Sequence, residues 1–204
     1  MAYLMTHSLL SSWLYAMREN PYADATTEDT AQADFLRVLR REPTEPTEAM
    51  QNGIDFENLV TDLVNGQVDQ TKVTWLEPAQ KIASVIRGGK LQYVATKQIT
   101  VLGMELLLYG RLDALKAGGI YDIKFSKSYD RGKYVDSTQH PMYLELVPKA
   151  ESFTYLISNG TEVWTEKYRR DETRPIVPTI QDFLRYLGMT GLMETYTKLW
   201  VTRE

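Results

Sequence analysis

The sequence predicts an α/β (α+β) fold: a central mixed β-sheet of about five strands flanked by helices. Three observations carry that expectation. Apolar residues recur at the helical period through segments 7–18, 27–41, 47–65 and 78–87. The pattern then changes to three strand-like runs between 91 and 125. Further on, Asn159-Gly160 separates two more such runs, the strongest short hairpin signal. Helices first, then a three-strand meander, a helix and two more strands suit a sheet covered by helices.

Each element has a local reason. In 7–18, Leu9, Leu10, Trp13, Leu14 and Met17 keep a helical period; Thr6 or Ser8 can cap the segment and Asn20-Pro21 ends it. Segment 27–41 reads as a helix with Phe35, Leu36, Val38 and Leu39 apolar, followed by the linker Arg41-Glu42-Pro43-Thr44-Glu45-Pro46. A long helix over 47–65 sets Met50, Ile54, Leu59, Val60 and Leu63 on or near one face, and a helix over 78–87 is closed by Gly88-Gly89. Strands 91–101 and 105–115 pair around Gly103, and a tight Gly118-Gly119 turn leads to strand 119–125. Segment 137–146 reads as a short helix with Pro141 in its first turn, where proline is tolerated. Strands 152–158 and 162–168 flank the hairpin signal, and helices follow at 180–187 and 191–200. The reading is one domain over 1–204, with a core at about 47–168, N-terminal helices at 7–41 and C-terminal helices at 178–201. Phe183, Leu184, Leu187, Leu192, Met193, Leu199 and Trp200 fit either core or an oligomer contact.

Composition narrows the chemistry. At 43% hydrophobic and 25% charged, the chain has an ordinary globular make-up. No apolar run approaches the roughly 20 residues of a membrane span. Met1-Ala2-Tyr3-Leu4-Met5 lacks the basic flank of a secretion signal, so the expectation is no membrane and a cytoplasmic location. With no cysteine there is no disulfide, thiolate-held zinc or iron–sulphur cluster, and two histidines, His7 and His140, make a His-rich metal site a poor fit. A net charge of −4 counts mildly against nonspecific nucleic-acid binding, although local basic patches can still steer a phosphate backbone.

Asp113, Asp122 and Lys124 stand out. In Tyr121-Asp122-Ile123-Lys124-Phe125 the side chains alternate, so Asp122 and Lys124 share one face while Tyr121, Ile123 and Phe125 point to a core. Charges on an otherwise apolar strand need a partner or a metal. Asp113 closes the preceding strand one tight turn away. Two carboxylates about 4 Å apart repel by roughly 4 kcal/mol at an effective dielectric of 20, and a divalent cation between them reverses the sign. That pattern suits a metal-dependent phosphodiesterase, with Lys124 steadying a water or a phosphoryl oxygen. The simpler alternatives are solvated acids and a Lys124 salt bridge to Asp122 or Glu57.

The ordered set Gly110-Arg111-Leu112-Asp113, Asp122-Ile123-Lys124 and Gln139-His140-Pro141-Met142-Tyr143 resembles the PD-(D/E)XK nuclease superfamily, and within it the RecB-like branch marked by G-x-x-D, D/E-x-K and Q-x-x-x-Y. Gly53-Ile54-Asp55-Phe56-Glu57 resembles that branch's first motif. Ser8-Leu9-Leu10-Ser11-Ser12-Trp13 with Asn20-Pro21-Tyr22 is similar to its N-terminal segment. The resemblance covers about residues 7–168. It implies a restriction-endonuclease-like core and a DNA nuclease of stand-alone exonuclease type, acting in recombination, repair or phage DNA metabolism in a bacterial or phage-infected cell. It implies Mg²⁺ or Mn²⁺ on Asp113, Asp122, the Ile123 carbonyl and Glu57, since hard oxygen ligands suit those ions; Asp55 and Asp62 compete with Glu57.

By the same resemblance, Lys124 orients the attacking water or stabilises developing charge, and Gln139 and Tyr143, sharing a helix face at i, i+4, border the substrate strand. A Tyr143 packed in the core is the alternative, and His140 points elsewhere on that helix. Lys127, Arg131 and Lys133, interleaved with Tyr129 and Tyr134, fit either a phosphate-tracking loop or an ordinary solvated one. Arg169 and Arg170 read as solubility residues. The expected partners are DNA and a helicase or single-strand-annealing protein, because no helicase domain is present to unwind a duplex. A second reading, the same fold as a DNA- or protein-binding module with little or no catalysis, stays open.

Overall fold

Strand β1 (Tyr3–Thr6) runs straight into helix α1 (His7–Ala16), with the Thr6 hydroxyl capping it by accepting from the Leu9 N–H at 3.3 Å. The computed structural model describes residues 1–18, 25–68 and 74–202, of which 25–29 are described by backbone alone. The Asn20-Pro21-Tyr22 stop therefore lies outside the described residues. Helix α2 (Ala25–Leu39) leads to α3 (Glu48–Asn65), capped by the Thr47 hydroxyl at one end and by left-handed Gly66 at the other. Then come α4 (Leu76–Ile86), the strands β2 (Lys90–Val101), β3 (Met104–Lys116) and β4 (Gly119–Phe125), helix α5 (Gln139–Leu146), strands β5 (Ser152–Ser158) and β6 (Val163–Arg169), and helices α6 (Val177–Met189) and α7 (Met193–Leu199).

The fold is α+β, a mixed six-stranded sheet flanked by seven helices among the described residues. The sheet runs β1-β3-β4-β5-β6, with β2 on the remaining edge of β3. β1–β3 and β4–β5 are parallel, the other pairs antiparallel. One edge of β3 is shared in sequence: β1 covers Leu106 to Tyr109, and β4 covers Ala114 to Lys116. Residues 110–113 lie in the notch between them, and the candidate site forms there.

Two apolar clusters sandwich the sheet. The larger joins Leu9, Leu10 and Trp13 of α1 to Leu106, Leu108 and Leu112 of β3 and to Phe183, Leu187, Tyr196 and Trp200. The smaller joins Phe56, Val60 and Leu63 of α3 to Ile82 and Ile86 of α4, with Ala114, Ile123 and Leu156 below.

Several expectations change. The apolar start of the chain is a sixth strand, and Leu4 N–H bonds to the Trp200 carbonyl, so both ends of the described chain close on one core. The C-terminal aromatic residues are core. Met50 and Ile54 are exposed, because the buried stripe of α3 runs through Phe56, Val60 and Leu63. The β3–β4 turn is Ala117-Gly118, both at positive φ as a two-residue hairpin of primed type requires, and Gly119 already belongs to β4. Arg170 is not a solubility residue. Its guanidinium donates to the carbonyls of Leu144, Val147 and Ala150, capping the end of α5.

Candidate functional site

Asp113 and Asp122 meet where β4 peels away from β3. Both are buried, at 8% and 4% exposed. Asp113 Oδ2 accepts from the Ile123 N–H at 2.7 Å, spanning the gap that the strand ladder leaves open. In an extended strand the N–H and C=O of one residue face the same edge, so the Ile123 carbonyl also looks toward the notch. Burial first, then the charges of Asp122 and Glu57, push the Asp113 carboxyl well above the ordinary carboxylate range. The Ile123 N–H and Lys124 oppose that shift.

Asp122 is held from two sides. Gln139 Nε2 donates to Oδ1 at 2.5 Å, and Lys124 Nζ stands 2.8 Å from Oδ2 as an ion pair. Both oxygens of this buried carboxylate therefore have a polar partner. Lys124 keeps 32% of its side chain exposed, with Nζ 5.9 Å over the Tyr155 ring. Burial works to lower the Lys124 ammonium, but Asp122 beside it and Asp113 beyond outweigh that and hold it above a lysine's ordinary pKa. Glu57 reaches the notch from α3. Its Oε1 accepts from Gln92 Nε2 at 3.0 Å and lies 3.9 Å from Arg111. Its competitors turn away: Asp55 is exposed and bonded to Gln51, and Asp62 is exposed.

These donors suit a hard divalent cation. Two buried acids stand side by side, the charge of Asp122 disfavouring that of Asp113, and a backbone carbonyl faces the same notch. Among the described residues, however, no three His, Cys, Asp or Glu side chains are drawn together as a finished metal cage.

Tyr143 takes a different place from the substrate groove. It is 4% exposed, its hydroxyl donates to the Arg111 carbonyl at 3.1 Å, and its ring packs edge-on to His7 and against Phe153. Gly110 is glycine because of this ring, since a Cβ there would come within 2.7 Å of Tyr143 Cε1. Gln139 and Tyr143 thus serve one strand pair from one helix face: Gln139 touches Asp122, and Tyr143 braces the backbone leading to Asp113. His140 is buried elsewhere, stacked on Tyr168 and bonded to the Tyr155 hydroxyl at 3.2 Å, with burial lowering its pKa to about 4.

Comparisons with known proteins supply a fold and no more. No family model matches the chain, and no curated protein matches it. Among solved structures it is similar to the crystal structure of SSO0001, at 14% identity and a TM-score of 0.54, over 91% of this chain and 77% of that one.

Two residues of the region escaped the sequence reading. His7, at the start of α1, lies beside Lys124, and burial and then that ammonium lower its pKa to about 4. With Tyr15, Lys133, Tyr134 and Gln139 it lines a cavity of about 330 Å³ next to Lys124. Glu166 of β6 is buried and accepts from the Tyr129 and Tyr168 hydroxyls and the Gly132 and Tyr134 N–H groups, pinning the loop between β4 and α5. Lys127 and Arg131 are exposed on that loop, while Lys133 donates to Ser126 Oγ and the Ser128 carbonyl. A helix start with one histidine and a strand with one glutamate carry no distinguishing sequence signal.

Proposed function

We propose that this protein is a metal-dependent DNA nuclease of the RecB-like PD-(D/E)XK type, an exonuclease that hydrolyses phosphodiester bonds with water as nucleophile. The observation that carries the reading is the meeting of Asp113, Asp122, Lys124 and Gln139 at one notch, with both acids buried. Asp113, Asp122 and the Ile123 carbonyl would hold the ion, with Glu57 completing the set directly or through water. A bound Mg²⁺ or Mn²⁺ supplies an activated water and neutralises charge on the scissile phosphate.

The chain's own groups do the rest. Lys124, kept charged by the two acids, stands at the edge of the site, where an ammonium would stabilise the extra negative charge that the non-bridging phosphoryl oxygens gather as the water adds with loss of its proton to solvent and the P–O bond to the leaving oxygen breaks. Gln139 fixes the orientation of Asp122. Lys127, Arg131 and Lys133 would follow the phosphates of the strand.

The second reading, a binding module on this fold, has one observation on its side: among the described residues no three acid or histidine side chains form a ready cage. Incubating the protein with end-labelled single- and double-stranded DNA in Mg²⁺, Mn²⁺ or EDTA separates the two. A nuclease cuts in the metal arms and is silent in EDTA; a binding module retards the DNA and leaves it whole in all three.

A further inference from the structure

Strands β2 and β3 both change faces at one cross-strand position. Leu112 packs in the larger cluster, yet Ala114, two residues on, packs in the smaller. On β2, Leu91 packs against the smaller cluster and Ala95 in the larger. Residues two or four apart on a regular strand share a face, so each strand contains one reversal. The pairs Leu91↔Ala114 and Tyr93↔Leu112 bracket it, and the step between them, Gln92 opposite Asp113, drops out of the ladder. Gln92 has φ +49, a left-handed conformation that L residues other than Asn and Asp seldom take. The reversal coincides with Asp113 reaching the Ile123 N–H of the neighbouring strand. The side chain of Gln92 turns to α3 instead, where its amide donates to Glu57 Oε1 at 3.0 Å.

We propose that Gln92 is a positioning residue of the site. Its left-handed backbone creates the reversal that releases Asp113 toward β4, and its amide fixes the Glu57 carboxylate against the same notch. Strain of this kind persists where the surrounding structure imposes it, and it gathers at functional sites. The inference rests on the metal-dependent reading above.

Gln92→Gly tests it, because glycine takes positive φ freely and lacks the amide. In EDTA its Tm is expected to equal or exceed the wild type. Calorimetric titration with Mn²⁺, without nucleic acid, should then show affinity at least tenfold weaker, and cleavage of end-labelled DNA in Mg²⁺ should fall at least tenfold. Gln92→Asn also tolerates the conformation but is one methylene shorter, and should lose Mn²⁺ affinity in the same direction. Wild-type Mn²⁺ affinity and cleavage in Gln92→Gly overturn the inference, as does a loss of both that merely tracks a lowered Tm. If the wild type itself neither binds Mn²⁺ nor cuts DNA, the proposed function fails and takes this inference with it. If the wild type does both and Gln92→Gly matches it, only the inference fails.

Discussion

Asp113 sits where its surroundings oppose a charge. Its folded pKa lies above its unfolded value, so its ionisation works against folding, increasingly as pH rises through the folded value. Asp113→Asn keeps an oxygen to accept from the Ile123 N–H and removes the repulsion from Asp122 and Glu57. In EDTA at pH 8 its Tm is expected to rise by about 2–4 °C, the shift of roughly 1 kcal/mol in a chain of this size; a fall would mean that the ionised acid stabilises the metal-free fold. Lys124 presents the opposite case. Lys124→Ala leaves the acids in place, so Mn²⁺ affinity by calorimetry should hold or increase, while cleavage falls about 10²–10³-fold, the usual result of deleting one transition-state donor. Loss of Mn²⁺ binding would make Lys124 a structural partner of Asp122. The alternation in Tyr121 to Phe125 made Asp122 and Lys124 legible in the sequence, because a strand's faces follow directly from residue spacing. Glu166 was not legible: its importance comes from a loop that folds back over β6.

At the scale of elements, the periodic segments were readable and their junctions less so. The β5 bounds read from the sequence match the structure, because β-branched and aromatic residues end at a clear turn signal. β1 was missed because four residues beside a parallel neighbour show too little period to register. In α5 the spacing of Gln139 and Tyr143 was visible, but which of them meets solvent depends on what lies above the helix. Tyr143 has no face for a nucleotide, so Tyr143→Phe should leave DNA affinity in Ca²⁺ within twofold of wild type. Losing its bond to Arg111 should lower stability by about 0.5–1.5 kcal/mol in urea melts. A tenfold loss of affinity at unchanged stability would restore the groove reading. Gly110 belongs to the same contact, and its motif position follows from the space the Tyr143 ring occupies.

The two ends of the described chain are stitched together beside a single sheet, and the pH response follows from what the fold buries. His7 and His140 both have folded pKa values of about 4, against an ordinary 6.5. The unfolded chain therefore takes up protons that the folded one refuses. The stability tied to these groups is fully present above pH 6.5 and drains away as pH falls from 6.5 through 4, by on the order of 2–3 kcal/mol for His140 alone. Urea melts at pH 7 and pH 4.5 should show that loss, and His140→Gln should lose less over the same interval. Equal slopes would place the acid sensitivity elsewhere.

The central claim is that the notch between β3 and β4 is a metal-dependent hydrolytic site. Its most direct test is the initial rate of cleavage of one end-labelled DNA in Mg²⁺ by the wild type and by Asp122→Asn, which keeps the shape of the side chain and an acceptor for Gln139. The expected result is cleavage by the wild type that EDTA stops, and a rate at least 10³-fold lower in the variant with its fold intact by circular dichroism. Equal rates for the two proteins would contradict the claim.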